Sequence, residues 1–127
     1  MSSKLLHGGP SMPVETPNEN PSIVDYSDYR DFLAARFRYL KTVKKNFSYA
    51  IAARKTNVAP SYYKNLFRKD RHLGLENLGR VSKTLELNGT EQAYLLFRLI
   101  SHIVPDQQLL EICRKSLDVF KNEIKRG

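Results

Sequence analysis

The sequence predicts an all-α fold: a compact helical domain of about six helices, preceded by a disordered N-terminal tail. Three observations predict it. Apolar residues recur at spacings of three and four through most of the chain beyond residue 25. Cap and breaker residues (Ser48, Asn57, Gly74, Asn88, Gly89 and Pro105) fall at the ends of those stretches. No stretch makes a convincing strand. At 127 residues, with 41 % hydrophobic and 27 % charged, the chain has the size and composition of one globular domain plus a tail.

Residues 1–24 are the expected tail. Four of the six prolines (Pro10, Pro13, Pro17 and Pro21) lie there among Ser2, Ser3, Gly8, Gly9, Asn18 and Asn20. Such a segment buries too little apolar surface to offset its ordering entropy. A partner-binding arm anchored by Leu5 and Leu6 is the alternative.

The helical domain proper is expected over 25–104. Its first helix starts at Asp25 or Ser27 as cap and runs to about Thr42, with Tyr29, Phe32, Leu33, Phe37 and Leu40 on one side. A basic connection, residues 41–46, leads to Ser48, which caps a short second helix carrying Ile51, Ala52 and Ala53. Thr56 and Asn57 make the turn, since asparagine tolerates the left-handed backbone that a tight turn needs. A third helix starts at Ala59 and Pro60, where proline suits the first turn, and continues to about Lys69. Gly74 interrupts the chain.

The fourth helix, about Leu75 to Leu87, presents Leu75, Leu78, Val81 and Leu85 on one face and closes on Asn88 and Gly89. Thr90 caps a fifth helix whose buried stripe is Ala93, Leu96, Phe97 and Ile100, and Pro105 ends it. Residues 105–127 form a last helix striped with Leu110, Cys113, Leu117, Phe120 and Ile124. That stripe packs on helices one and five, or it pairs with a second copy in a homodimer. No internal repeat of fixed period supports a solenoid.

The net charge of +8 is concentrated. From Tyr29 to His72 twelve basic residues face two acids, a net +10, while the remainder holds nine basic and eleven acidic residues, a net −2. Such concentration points to a polyanion, or to a solvated basic surface.

Within that segment, Tyr49 to Arg68 (YAIAARKTNVAPSYYKNLFR) follows a helix-turn-helix pattern. Ala53 is small where the two helices cross, Asn57 takes the turn position usually given to glycine, and Val58 is buried behind it. Tyr63 and Leu66 point inward, which leaves Ser61, Tyr62, Lys64, Asn65 and Arg68 facing outward, a set able to reach phosphates and base edges in a major groove. A purely structural helical hairpin is the bland alternative.

The wider span, FSYAIAARKTNVAPSYYKNLFRKDRHLGLENLGRVSKTLELN, resembles the lambda-repressor-like class, whose core series after the recognition helix is matched by Leu78, Val81 and Leu85. Tyr26 to Ile100, with DYRDFL, FSYAIAAR, VAPSYYKNL and LELNGTEQAYLLFRLI, is similar to the amino-terminal half of a paralogous family of bacterial proteins regarded as regulators and expanded in predatory and fibre-degrading species. The resemblance covers about three fifths of the chain. Usual members continue into a second, larger helical domain of unassigned role.

What the resemblance implies is a DNA-binding protein, a transcriptional regulator, with the third helix in the major groove of double-stranded DNA. Ser61, Lys64 and Asn65 would lie nearest the base edges and Arg68, Lys69 and Arg71 nearest the phosphates, with Lys44, Lys45 and Arg54 extending the phosphate footprint. The alternative is an adaptor that docks an acidic protein through the basic helix-turn-helix face or the C-terminal helix. Tyr62, Tyr63 and Phe67 interleaved with Lys64 also allow stacking of single-stranded bases.

Catalysis is not expected, because no Gly-rich phosphate loop, paired-carboxylate motif or Ser, His and acid arrangement stands out. One cysteine, Cys113, and three histidines, His7, His72 and His102, show no metal-ligand spacing, so neither a metal nor a cofactor is expected. His72 and His102 read as surface or cap residues. No apolar run approaches the roughly 18 residues that span a bilayer, and the first residues lack a signal-like segment, so a cytoplasmic location away from membranes is expected.

Overall fold

The structure, a computed structural model, describes residues 19–127. Among the described residues there are six α-helices, two short 3-10 turns and no strand, so the chain is all-α as expected. The helices are α1 (Tyr29–Val43), α2 (Tyr49–Thr56), α3 (Tyr62–Phe67), α4 (Leu78–Thr84), α5 (Gly89–Ser101) and α6 (Gln107–Arg126).

Helix α1 begins later than Asp25 or Ser27 because Asp28 is its cap. Asp28 has extended backbone, and its carboxylate accepts the Arg30 N–H at 2.8 Å, satisfying one of the orphan donors of the first turn. Ile23–Asp25 forms a 3-10 turn instead, and Ile23 is fully buried. Burying that side chain contributes roughly 2 kcal/mol, which offsets the ordering of about one or two residues. The tail therefore ends before residue 24. Residues 1–18, with the Leu5 and Leu6 arm, lie outside the described residues.

The apolar side of α1 is as expected: Tyr29, Phe32, Leu33, Phe37 and Leu40 are buried, against Tyr63 and Leu66 of α3, Val81 of α4, Leu85 just after it, and Leu95 and Leu99 of α5. Arg36 is also buried, at 1 % exposure. Its guanidinium donates to the Leu85 and Glu86 carbonyls at 3.0 and 3.1 Å, to the Pro21 carbonyl at 3.3 Å and to the Glu91 carboxylate at 2.9 Å. A charge can stay inside only when so many acceptors compensate its lost hydration.

The fourth helix and the start of the fifth also differ from expectation. The fourth helix is shorter than Leu75 to Leu87: Leu75–Asn77 is a 3-10 turn with Leu75 exposed, and α4 closes at Glu86, whose φ of 59° lets Leu87 N–H reach the Ser82 carbonyl at 2.8 Å. Asn88 is consequently not the end of α4 but the cap of α5. Its side chain accepts the Glu91 N–H while the Glu91 carboxylate accepts the Asn88 N–H, a reciprocal capping box that displaces Thr90 from that role.

Helix α5 is covered on two sides. Tyr94, Leu95 and Leu99 face the core, whereas Ala93, Leu96, Phe97 and Ile100 are only half-buried, because the helix also meets α6, with Phe97 stacked on Phe120 at 5.9 Å. In α6 Cys113 is buried, and Leu117, Phe120 and Ile124 pack on the core, so this stripe is covered within one chain. Leu109, Ile112 and Val119 remain exposed. No described helix is long and apolar enough to cross a membrane.

Candidate functional site

Helices α2 and α3 follow one another across a tight turn at Asn57 and Val58. Ser48 caps α2, its hydroxyl accepting the Ile51 N–H at 3.2 Å. Asn57 ends the helix in the left-handed conformation, φ 63° and ψ 50°, and Val58 N–H returns to the Ala53 carbonyl at 3.0 Å. Ala53 is buried at 3 % exposure, and Val58 packs on the core.

Polar bonds inside the motif fix the seat of α3. The Tyr63 and Thr56 hydroxyls are hydrogen-bonded, Thr56 also meets the Thr84 hydroxyl at 3.0 Å, and Arg80 donates to the Thr56 carbonyl at 2.8 Å. A tyrosine at this inward position, where an aliphatic residue would suffice for packing, supplies the hydroxyl that joins the turn to α4. Burial pushes the Tyr63 phenol up, so it stays a neutral hydroxyl.

Helix α3 is shorter than the expected run to Lys69. Ala59 to Ser61 make a turn, Tyr62 N–H bonding the Ala59 carbonyl at 3.0 Å, and Lys69 has a φ of 67° that ends the helix. Ser61, Lys64 and Arg68 are exposed on its outer side, and Asn65 is half-buried beside them. Asn65 Oδ1 accepts from Arg68 at 3.2 Å, and Arg68 also donates to the Asp70 carboxylate at 3.1 Å. Lys64 Nζ stands 5.9 Å from the Tyr49 ring centre.

Tyr62 does not belong to that outer set. It is 4 % exposed, its hydroxyl accepts from Asn77 Nδ2 at 3.3 Å, and the Arg71 guanidinium lies 4.4 Å over its ring. An aromatic beside the first turn of so short a helix is drawn into the core by its own apolar area. Tyr63 is buried as well, and Phe67 packs against Phe37 at 5.4 Å. No stacking platform for single-stranded bases is left on this helix.

The segment following α3 is stapled to α1. Arg30 donates to the Arg71 carbonyl at 3.2 Å, and the Tyr29 hydroxyl accepts the Leu73 N–H at 2.8 Å while bonding His72 Nδ1 at 2.9 Å. Lys69 Nζ sits 3.0 Å from the Asp31 carboxylate and 3.5 Å from that of Asp28. The hydrogen bond to Asp31 raises its affinity for the proton, so Lys69 is a committed ion-pair member before any ligand arrives. Burial alone would push the Asp28 carboxyl up, but hydrogen bonds from the Arg30 side chain and N–H, with the Arg30 and Lys69 charges, hold it at about 2.

Of the twelve basic residues counted between Tyr29 and His72, Arg36 is internal, Arg38 is half-buried, and Arg30, Lys44, Arg68 and Lys69 have carboxylate partners. Lys41, Lys45, Arg54, Lys55, Lys64 and Arg71 are exposed with no salt bridge among the described residues. Lys44 and Lys45 border a hollow with Phe47, Ile51 and Lys55 that no α3 residue lines, so these two are not brought to the α3 surface. Arg54 is exposed on α2 next to Lys55. Sequence reading missed Arg80, whose spacing from Asn77 and Lys83 on the polar side of α4 was the available signal. Among the described residues no cluster of histidine, cysteine or carboxylates has metal-site geometry.

Comparison of the chain with protein-family models, curated proteins and solved structures finds no match.

Proposed function

We propose that this chain is a DNA-binding protein, a transcriptional regulator that places α3 in the major groove of duplex DNA. The observation that carries this assignment is the outer face of α3: Ser61, Lys64, Asn65 and Arg68 stand together on a helix whose inner side is locked by Tyr63 and Leu66. A rigid short helix with hydroxyl, amide, ammonium and guanidinium groups on one face offers donors to phosphates and to purine edges at once.

Within this assignment Lys64 and Asn65 read base edges, Ser61 supports the first turn, and Arg68 and Arg71 bind phosphates. Lys69 contributes mainly by tying the segment to α1. The field of the six exposed unpaired cations draws the polyanion in from solution.

The test is fluorescence anisotropy of the purified protein with a labelled random-sequence duplex over a salt series. Wild type is expected to bind with affinity falling steeply as salt rises, and a Lys64→Ala, Arg68→Ala double variant to bind about tenfold or more weakly at each salt concentration. Absence of binding at low salt, or equal binding by the double variant, would overturn the assignment.

A further inference from the structure

A second basic surface lies away from the outer face of α3. The hollow beside α2 that holds Phe47 and Ile51 shares Lys55 with another hollow, lined by Arg80, Lys83, Thr84 and Glu86 of α4 and the turn after it. The Lys44 to Glu86 ion pair, 2.8 Å, reaches from one to the other, so the two hollows adjoin as a trough. Five cations (Lys44, Lys45, Lys55, Arg80 and Lys83) stand along it against one carboxylate, Glu86.

The chemistry of the trough is mixed. Its basic rim would suit any polyanion, but half-buried Ile51 and the edge of Phe47, which is 7 % exposed, give it an apolar floor at one end. A phosphodiester backbone has no group for such a floor, whereas a peptide with an aliphatic side chain between carboxylates has one. The protein already shows one carboxylate seated there, Glu86 on Lys44, while Lys45, Lys55 and Lys83 have no acidic partner among the described residues. Arg80 is spent on the Thr56 carbonyl and Asn77 Oδ1, both at 2.8 Å, which fixes it as a wall of the trough.

We infer that this trough docks an acidic peptide segment of a partner protein, one that carries an aliphatic anchor for the Phe47 and Ile51 floor and carboxylates for Lys45, Lys55 and Lys83. Because no outward α3 residue lines the trough, the partner and a duplex are held by separate surfaces, and the docking stands independently of the DNA-binding assignment.

The experiment is a titration of the isotope-labelled protein with a short synthetic peptide of glutamates flanking one leucine, followed by amide chemical shifts. Shifts are expected to be confined to residues 44–55 and 80–86. A Lys83→Glu variant, confirmed helical by circular dichroism, is expected to bind the peptide several-fold more weakly while keeping its affinity for random-sequence duplex. Replacing the leucine of the peptide by serine is expected to weaken binding several-fold. Shifts centred on α3, or equal affinity for the leucine and serine peptides, would overturn the inference. So would a variant that binds the peptide unchanged. A variant that loses duplex binding instead would assign the trough to nucleic acid. Lys64→Ala separates the two surfaces, since it is expected to weaken the duplex and spare the peptide.

Discussion

The Arg36 guanidinium lies 2.9 Å from the Glu91 carboxylate, with 2 % and 13 % of the two side chains exposed. The same carboxylate accepts the Asn88 N–H, so one acid both closes the α5 capping box and neutralises the charge buried under α1. Arg36→Ala strips the Leu85 and Glu86 carbonyls of a donor and leaves Glu91 without its cation. A loss of about 3 to 5 kcal/mol is expected, read from urea unfolding. Should that variant fail to fold, Glu91→Gln keeps an acceptor for the cap but removes the charge, and a loss of about 1 to 3 kcal/mol is expected. Losses below about 0.5 kcal/mol for Glu91→Gln would show that the pair is dispensable.

Arg36 also shows where sequence reading stops. The α1 stripe, the Ser48 cap, the left-handed Asn57 and the α6 stripe were legible because each is local: an apolar period, a hydroxyl before a helix, an amide that tolerates positive φ. Arg36 looks like any surface cation in a basic run, since most of its acceptors come from residues some fifty positions away. Tyr62 was misplaced for a similar reason. Helical spacing alone set it outward, while the Asn77 amide and the Arg71 guanidinium that receive it lie beyond the motif. Asn88 and Gly89 followed the pattern of a helix end; only the Glu91 bond three residues on makes Asn88 a start.

Tyr63→Phe should keep the shape of α3 and lose the buried bond to Thr56, which still has Thr84 at 3.0 Å. A cost of about 1 kcal/mol is expected in thermal or urea unfolding, with helix content unchanged. A neutral result would mean that the hydroxyl adds nothing to the seat of the turn.

Glu86 adopts a φ of 59° on an exposed turn and contributes its backbone carbonyl, not its side chain, to Arg36. Glu86→Gly retains that carbonyl and removes the Cβ conflict of the left-handed region, at the loss of one surface ion pair to Lys44. Stability is expected to rise by about 0.5 to 1 kcal/mol. A fall in melting temperature would contradict the conformational account.

Asp28, held at about 2 by Arg30 and Lys69, is below the ordinary value of 3.8. A folded value below the unfolded one means that the unfolded chain takes up the proton first. The stabilisation is therefore complete above about pH 4 and is lost as pH falls from there toward 2. Allowing for solvent screening of a partly exposed pair, about 1 kcal/mol is at stake. Unfolding of wild type and Asp28→Asn at pH 6 and pH 2.5 checks it: the gap between them should be present at the higher pH and shrink at the lower. A gap that stays constant would remove the carboxylate from the explanation.

Asp70 holds Arg68 by two bonds, from Nε at 3.2 Å and from the terminal nitrogen at 3.1 Å. On the DNA-binding assignment this acid competes with phosphate. Asp70→Asn is expected to strengthen random-sequence duplex binding several-fold at low salt and to steepen its salt dependence. An unchanged salt slope would place Arg68 outside the phosphate contacts.

The brevity of α3 sets a limit on information. Six residues span about 9 Å of helix, the height of about three stacked base pairs, and three pairs distinguish only some sixty-four sequences. A word that short recurs at every turn of any genome. On the DNA-binding assignment, one copy of this chain is therefore a reader of syllables, and addressing a single promoter takes additional recognition, from neighbouring phosphate contacts that sense DNA shape or from a companion that reads the next syllable.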